Sequence, residues 1–303
     1  MDAGGPPEAS SGHEPVMVAE VLQYLAPRTG GRYLDLTVGA GGHARVVLER
    51  IGPSGVFVGV DRDRDVLERT SGELRSKYPK SRFIHANFAE IDELSRVLEP
   101  IRFEGVLLDL GASSMQLDDA GRGFSFMRSG PLDMRMDRTA RTTAADLLRR
   151  LSLEDLERIL REYGEERHAR RIARAIVDGR GRLPLVTTTD LAMLVQRVSP
   201  SRRERIHPAT RTFQALRIAV NDELGCLERF LAGFPKLLVP GGVIVVIAFH
   251  SLEDRLVKTA FRRLAAEGRL ELLTRKPATA TDDEVERNRR ARSAKLRAAR
   301  LIG

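Results

Sequence analysis

Two hydrophobic periods alternate between Tyr33 and Asp109. Short β-branched or aromatic runs, Tyr33 to Val38, Val56 to Asp61, Arg82 to Ala86 and Val106 to Leu110, read as strands. Between them, stretches beginning near Ala44, Asp65 and Ile91 carry apolar residues at helical spacing. Such alternation predicts right-handed βαβ units and a parallel sheet. The strand pattern then stops for about a hundred residues and resumes at Gly242 with VIVVIAF, a continuous apolar run suited to a central strand buried on both faces. Leu270 to Thr274 and Lys295 to Leu301 supply a closing antiparallel pair.

The interruption reads as helices. Ser152 with Asp155 three residues later opens one, lined by Leu153, Leu156, Ile159 and Leu160 and ended by Gly164. Ala169, Ile172, Ala173, Ile176 and Val177 line the next, before Gly179, and a third starts in the threonines at 187 to 189 and buries Leu191, Leu194, Val195 and Val198. The organisation expected is a loose, disordered tail over residues 1–12, an α/β domain made of 13–117 and 213–303, and a small all-α domain inserted at 118–212.

Composition narrows the function. The longest apolar run, Val243 to Phe249, is far short of the roughly 20 residues a membrane span needs, and residues 1–12 have neither the basic start nor the apolar centre of a signal peptide, so a cytoplasmic protein without membrane attachment is expected. Cys226 is the single cysteine, which excludes disulfides and cysteine-ligated metals; the six histidines form no HxxxH pair, and no metal site is expected. The net charge of +8 is unevenly spread. Asp118 to Thr212 holds 20 arginines and no lysine against 14 acids, and Arg275 to Arg300 holds 9 basic against 4 acidic residues, so the remainder is mildly acidic. Two basic portions on an acidic body fit a polyanion held at defined places, or simply well-solvated helices.

The segment LDLTVGAGGHARVVL, residues 34 to 48, is where chemistry enters. A glycine turn between a first parallel strand and a helix offers free amides to an anionic group. No GxxxxGK[ST] occurs, so a P-loop is excluded; the dinucleotide pattern GxGxxG fits badly, with Ala44 in place of its last glycine. The D-x-G-x-G-x-G turn of S-adenosylmethionine enzymes fits better as Asp35-x-Thr37-x-Gly39-x-Gly41, with Thr37 replacing the first glycine. Strand two ends in Asp61, 20 residues beyond Gly41, where a carboxylate accepts ribose hydroxyls; strand three leads into Asn87-Phe88 for the adenine edge and face, and strand four ends in Asp109. Singly each has a duller explanation as cap, core or loop tie. Together they favour an adenosyl ligand, which NAD and S-adenosylmethionine both provide.

The stretch after strand four separates those two. LLDLGASSMQLDDAGRGFSFMRSGPLDMRMD, residues 107 to 137, closely resembles the signature of the bacterial 16S ribosomal RNA cytosine-N4 methyltransferases, the RsmH or MraW family. HEPVM (13 to 17), TVGAGGH (37 to 43), YGEERHARRIARAIV (163 to 177), HPATRTFQALRIAVNDEL (207 to 224), FHSLEDR (249 to 255) and ARSAKLR (291 to 297) agree in order. The resemblance implies a Rossmann-like class I S-adenosylmethionine-dependent methyltransferase sheet with a helical insertion that recognises RNA. It implies cofactor contacts at Gly41, Gly42, His43, Asp61, Phe88, Asp109 and Gln116, and a substrate, cytosine 1402 in customary numbering, in the decoding region of 16S ribosomal RNA within the small subunit or its late precursor. A homodimer is compatible with all of this. Met115 and Arg289 stand where many members have proline.

A cytosine amine is a poor nucleophile facing an already activated sulfonium methyl, so alignment is the main requirement, worth up to roughly 7 to 11 kcal/mol in small-molecule systems. Amino methyltransferases often carry a D/N/S-P-P-aromatic loop here; this chain has Asp109-Leu110-Gly111-Ala112-Ser113-Ser114. Ser113 or a nearby carbonyl is the expected amine acceptor, with Asp109 positioning cofactor and loop. Asp133 and Arg135 are candidates for holding the cytosine or its phosphate, or for pairing with each other. Phe124 and Phe126 are candidates for base stacking, against a core role, and His250 for a substrate contact from the end of the central strand. Arg167, Arg171 and Arg174, with Arg202, Arg203 and Arg205, are the expected phosphate contacts. The rival readings are a DNA cytosine-N4 methyltransferase and a non-catalytic RNA-binding assembly factor.

Overall fold

A computed structural model describes residues 14–180, 186–199 and 207–303. The tail at 1–12, His13 and Arg202, Arg203 and Arg205 lie outside the described residues. Seven strands form one sheet: β1 (Arg32–Asp35), β2 (Val56–Asp61), β3 (Arg82–His85), β4 (Phe103–Asp109), β5 (Leu238–Ala248), β6 (Leu270–Leu272) and β7 (Lys295–Leu301). Their order is β3-β2-β1-β4-β5-β7-β6; the first five are mutually parallel and β7 runs antiparallel between β5 and β6. This is the Rossmann-like α/β class expected, and the order reverses between β1 and β4, which puts a crevice at their carboxyl ends.

Alternation along the strands assigns side chains to two cores. Leu34, Leu36, Val106, Leu108, Ile244 and Val246 join one, under α4 (Ile91–Leu98), α11 (Glu223–Gly233) and α12 (Ser251–Ala266); Tyr33, Leu107, Val245 and Ile247 join the other, under α1 (Val18–Leu25) and α2 (Gly42–Ile51). Burial on both faces explains why β5 reads as an unbroken apolar run. β1 ends at Asp35, three residues short of the expected Val38. The chain keeps its path there through Leu36 N donating to Leu107 O and Val38 N to Val60 O.

A third cluster, including Phe124, Met134, Leu160, Ile172 and Val195, forms where the strands stop. It gathers α6 (Ala144–Arg150), α7 (Leu153–Glu162), α8 (Ala169–Gly179), α9 (Thr188–Val198) and α10 (Ala209–Asn221). The Ser152 hydroxyl accepts from Asp155 N to start α7, and Thr187 with Asp190 forms a capping box on α9. Gly164 is not the stop expected of it. α7 ends at Glu162, and Gly164 is buried where a Cβ would lie 2.6 Å from Arg211 O, so close helix packing requires the glycine. The expected boundary at 212/213 falls inside α10, whose Phe213, Ala215 and Leu216 belong to the helical cluster. The remaining helices are α3 (Arg64–Lys77), α5 (Ser114–Asp118) and α13 (Asp282–Arg287). Among the described residues no helix is long and apolar enough to cross a membrane.

Candidate active site

A cavity of about 290 Å³ opens at the carboxyl ends of β1, β2 and β4. Its floor is the glycine turn. Gly39 (φ 49°) and Gly41 (φ 77°) take the left-handed backbone that glycine tolerates, and a Cβ on Gly41 would sit 2.7 Å from Thr70 Cγ2. Side chains hold the turn: Asp61 Oδ2 accepts from Gly39 N (2.8 Å), Thr70 Oγ1 donates to Gly39 O (2.6 Å), Arg45 donates to Ala40 O (2.9 Å), Asp35 Oδ1 accepts from Thr37 N (3.0 Å), and Thr37 Oγ1 accepts from Asp109 N (2.7 Å). Thr37 therefore ties β1 to β4, which accounts for a hydroxyl where the common motif has glycine.

The strand-end acids differ in what they bind. Asp61 also accepts from Asp63 N at Oδ1 (2.8 Å), and burial pushes its pKa up to about 6 against the pull of those amides. Asp35 is buried and is raised by burial to about 7, with His43 pulling the other way. His43, in the first turn of α2, is buried with no hydrogen-bond partner at either ring nitrogen; its Nε2 lies 3.6 Å from Asp109 Oδ2. Burial works against its charge, yet the Asp109 and Asp35 carboxylates outweigh it and hold its pKa above the ordinary value. Asp109 Oδ1 is likewise buried and unpartnered. Phe88 lines the cavity, fixed edge-on to Phe230 at 5.7 Å, whereas Asn87 turns away, donating to Cys226 Sγ and accepting from Ala89 N.

The loop after β4 is saturated with internal bonds. Ser113 caps α5 in a capping box with Gln116: its Oγ accepts from Gln116 N, and Gln116 Oε1 accepts from Ser113 N. Gln116 Nε2 donates to Asp63 Oδ2 (2.7 Å), so this amide lines the cavity with both ends engaged. Asp63 is a hub that pattern reading missed, although a carboxylate just before a helix is a recognisable cap signal. It is 1% exposed, caps α3 through Val66 N, and pairs with Arg122 at 2.6 Å. The Arg122 guanidinium also donates to Arg135 O and Met136 O. Asn221 at the end of α10 completes the fastening, accepting from Met136 N and donating to Met134 O.

Asp133 and Arg135 bind each other in a two-pronged pair, both contacts at 2.7 Å, and the Arg135 bonds hold Asp133 below its usual pKa despite partial burial. Phe124 is core, under the Arg122 guanidinium. Phe126 packs on His207 (4.7 Å) and Phe213 (4.9 Å).

The opposite wall carries Phe249, Glu253 and an Arg217–Glu223 pair, two-pronged at 2.9 and 2.8 Å. His250 caps α12, with Nδ1 accepting from Glu253 N, while its buried Nε2 has no hydrogen-bond partner and lies 3.2 Å from Glu253 Oε1. Burial would raise Glu253, but His250 and Arg217 hold it low. Glu223, His250 and Glu253 bring ligand atoms within 4.8 Å of one another. Arg217 occupies both Glu223 oxygens, and Glu253 Oε2 accepts from Phe249 N, so the group is already charge-compensated. Arg217, Glu223 and Arg290 were not legible from spacing, since each reaches the cavity from a distant element.

The sequence profile of the MraW methylase family matches residues 10–302. The chain belongs to that family. It is 51% identical over 307 residues to ribosomal RNA small subunit methyltransferase H of Geobacter sulfurreducens, covering 96% of this chain and 99% of that one. It is 49% identical over 310 residues to the protein of the same name from Thermomicrobium roseum, covering 97% and 94%. Methylases of this family take their methyl group from S-adenosylmethionine. The residues present fit that cofactor: carboxylates gather where its cationic groups need partners, Phe88 offers an apolar face, and the glycine turn lets backbone approach.

Proposed function

We propose that this protein methylates the N4 amine of a cytosine in the decoding region of 16S ribosomal RNA, cytosine 1402 by family resemblance. The observation that carries the reading is the set of buried, unpartnered polar atoms, the acceptor Asp109 Oδ1 and the two His43 ring nitrogens, at the β1–β4 switch point of a chain that belongs to the MraW methylase family. Unpaired buried polar atoms are costly, and a cationic ligand relieves the cost.

When bound, S-adenosylmethionine supplies an activated methyl group. Gly41 and Gly42 let the backbone close on it, Asp61 keeps lone pairs free for a ribose diol beside its two amide bonds, and Phe88 flanks the adenine. Asp109 holds the cofactor's cationic part with His43 beside it. Ser113, fixed as a cap at the cavity wall, would accept a hydrogen bond from the reacting amine and so localise its lone pair; since the amine needs only weak base assistance, no strong base is required. To Gln116, Asp133 and Arg135 we assign the work of holding this loop in place. Phe126, packed on His207 and Phe213, and His250, the cap of α12, lie outside the cavity lining and support the elements around it. The helical block around 118–212 receives the RNA, with exposed Arg167, Arg171 and Arg174 on phosphates, which makes affinity fall with salt. A ribosomal substrate places the protein in the cytoplasm.

The test is methyl transfer from labelled cofactor to small-subunit RNA and to DNA, with mass mapping of the product. Expected is one N4-methylcytosine in the decoding region, lost in Asp109→Ala. Transfer to DNA alone, or RNA binding without any transfer, overturns the reading in favour of a DNA enzyme or an assembly factor.

A further inference from the structure

The start of the described chain and the segment before β7 meet over the glycine turn. Met17 N donates to Glu284 Oε1 (2.6 Å) and Asn288 Nδ2 donates to Glu14 O (2.9 Å). Pro15 lies so near Gly42 that a Cβ there would come within 2.8 Å of its ring. Residues 14–17 and 284–293 thus form a strap across one end of the cavity, and Glu14, Pro15, Arg290 and Ser293 line it from that side.

Of the strap's four arginines, Arg287, Arg289, Arg290 and Arg292, Arg290 is the one that lines the cavity. It donates to Ser114 Oγ in the first turn of α5, and no carboxylate of the described residues lies within ion-pair distance of it. The other arginines lining the cavity differ: Arg217 grips Glu223 with both prongs, and Arg62, on the β2 side away from the strap, donates Nη1 to Asn221 O and keeps a buried, unpartnered Nε. Burial disfavours the Arg290 charge, with Asp118 and Asp109 opposing that effect at longer range. A partly buried guanidinium bonded only to a neutral hydroxyl is a receptor for an anion.

The methyl donor's amino-acid end has one anionic group, and the surrounding strand ends Asp35, Asp61 and Asp109 are all acids, suited to its cationic parts. We propose that Arg290 binds the carboxylate of the donor's methionyl end, with the Ser114 hydroxyl beside it, so that the strap reads the amino-acid half of the cofactor. The proposal rests on the S-adenosylmethionine reading above. It distinguishes Arg290 from the phosphate-binding arginines of the helical block, since this one sits behind the glycine turn and not on an open face.

Calorimetry with two ligands tests it: S-adenosylmethionine and its decarboxylated analogue, which keeps sulfonium, amine and adenosine. Arg290→Gln should weaken S-adenosylmethionine about 10- to 100-fold, the range for a lost hydrogen bond to a charged group, and weaken the analogue less than about threefold. Arg290→Lys should recover part of the loss for the first ligand only, and it serves as the comparison if the Gln variant does not fold. Equal losses for both ligands overturn the proposal. So does unchanged cofactor affinity with a raised KM for RNA and a shallower salt slope, which makes Arg290 a phosphate contact. If the wild type binds neither ligand, it is the cofactor reading itself that fails.

Discussion

On the sheet side of the cavity, Asp109 Oδ1 and both His43 ring nitrogens are buried without a partner; on the loop side, Asp63, Arg122, Asp133, Arg135 and Asn221 all have their polar groups engaged. The first group lines the cavity, and the second lies behind the loop whose Ser113, Gln116 and Met136 close it. What separates them is satisfaction. A saturated polar network defines shape, because breaking any member leaves a buried charge alone. An unsaturated one costs stability until a ligand arrives, which is the signature of a binding surface.

The largest effect that would break this contrast is at Asp63–Arg122. Arg122→Ala should cost about 3–5 kcal/mol in denaturant unfolding, since it strands Asp63 in the interior. A loss under about 1 kcal/mol would mean the loop is not fastened there. Next, Asp109→Asn should lower the methyl-transfer rate about 100-fold, comparable to removing one preorganised electrostatic partner, while the thermal midpoint stays at or above that of the wild type. A marked fall in that midpoint would move Asp109 to the structural side.

The third effect is on pH. Asp35 at about 7, Asp61 at about 6 and the raised His43 all hold protons more tightly folded than unfolded. The folded chain then binds more protons than the unfolded one, and stability without cofactor should fall as pH rises from about 4 through about 7. A cationic ligand prefers those acids ionised, so cofactor affinity should rise over the upper part of that window. Affinity that is flat with pH while stability falls would separate these acids from the ligand. Smallest is Asp133→Asn, expected to cost about 1 kcal/mol with cofactor affinity unchanged.

Legibility followed the same division. β2 was readable to the residue and β5 by its unbroken apolar run, because burial of a parallel sheet leaves a local pattern. Asp61, Phe88 and Asp109 were expected at one cavity because strand ends are fixed by topology, so successive strands bring their last residues to one edge, and His43 was expected there from the family resemblance; all four line the cavity, while Gly41 does not. Asn87 was assigned an adenine contact on that logic and instead bonds Cys226, since position on an edge does not fix side-chain direction. Thr37 looked like a departure from a motif and is a cross-strand tie. Arg217 and Arg290 left no local trace: one comes from a helix of the third cluster, the other from the strap, and only tertiary packing brings them to β4.

The place of β7 sets the timetable of assembly. Lys295–Leu301 lies between β5 and β6, so until those residues leave the ribosome the central apolar strand is an open edge and the short β6 has nothing to pair with. A nascent chain has to shield that edge throughout its synthesis, and a truncation just before Lys295 should yield aggregates and not a weakened enzyme.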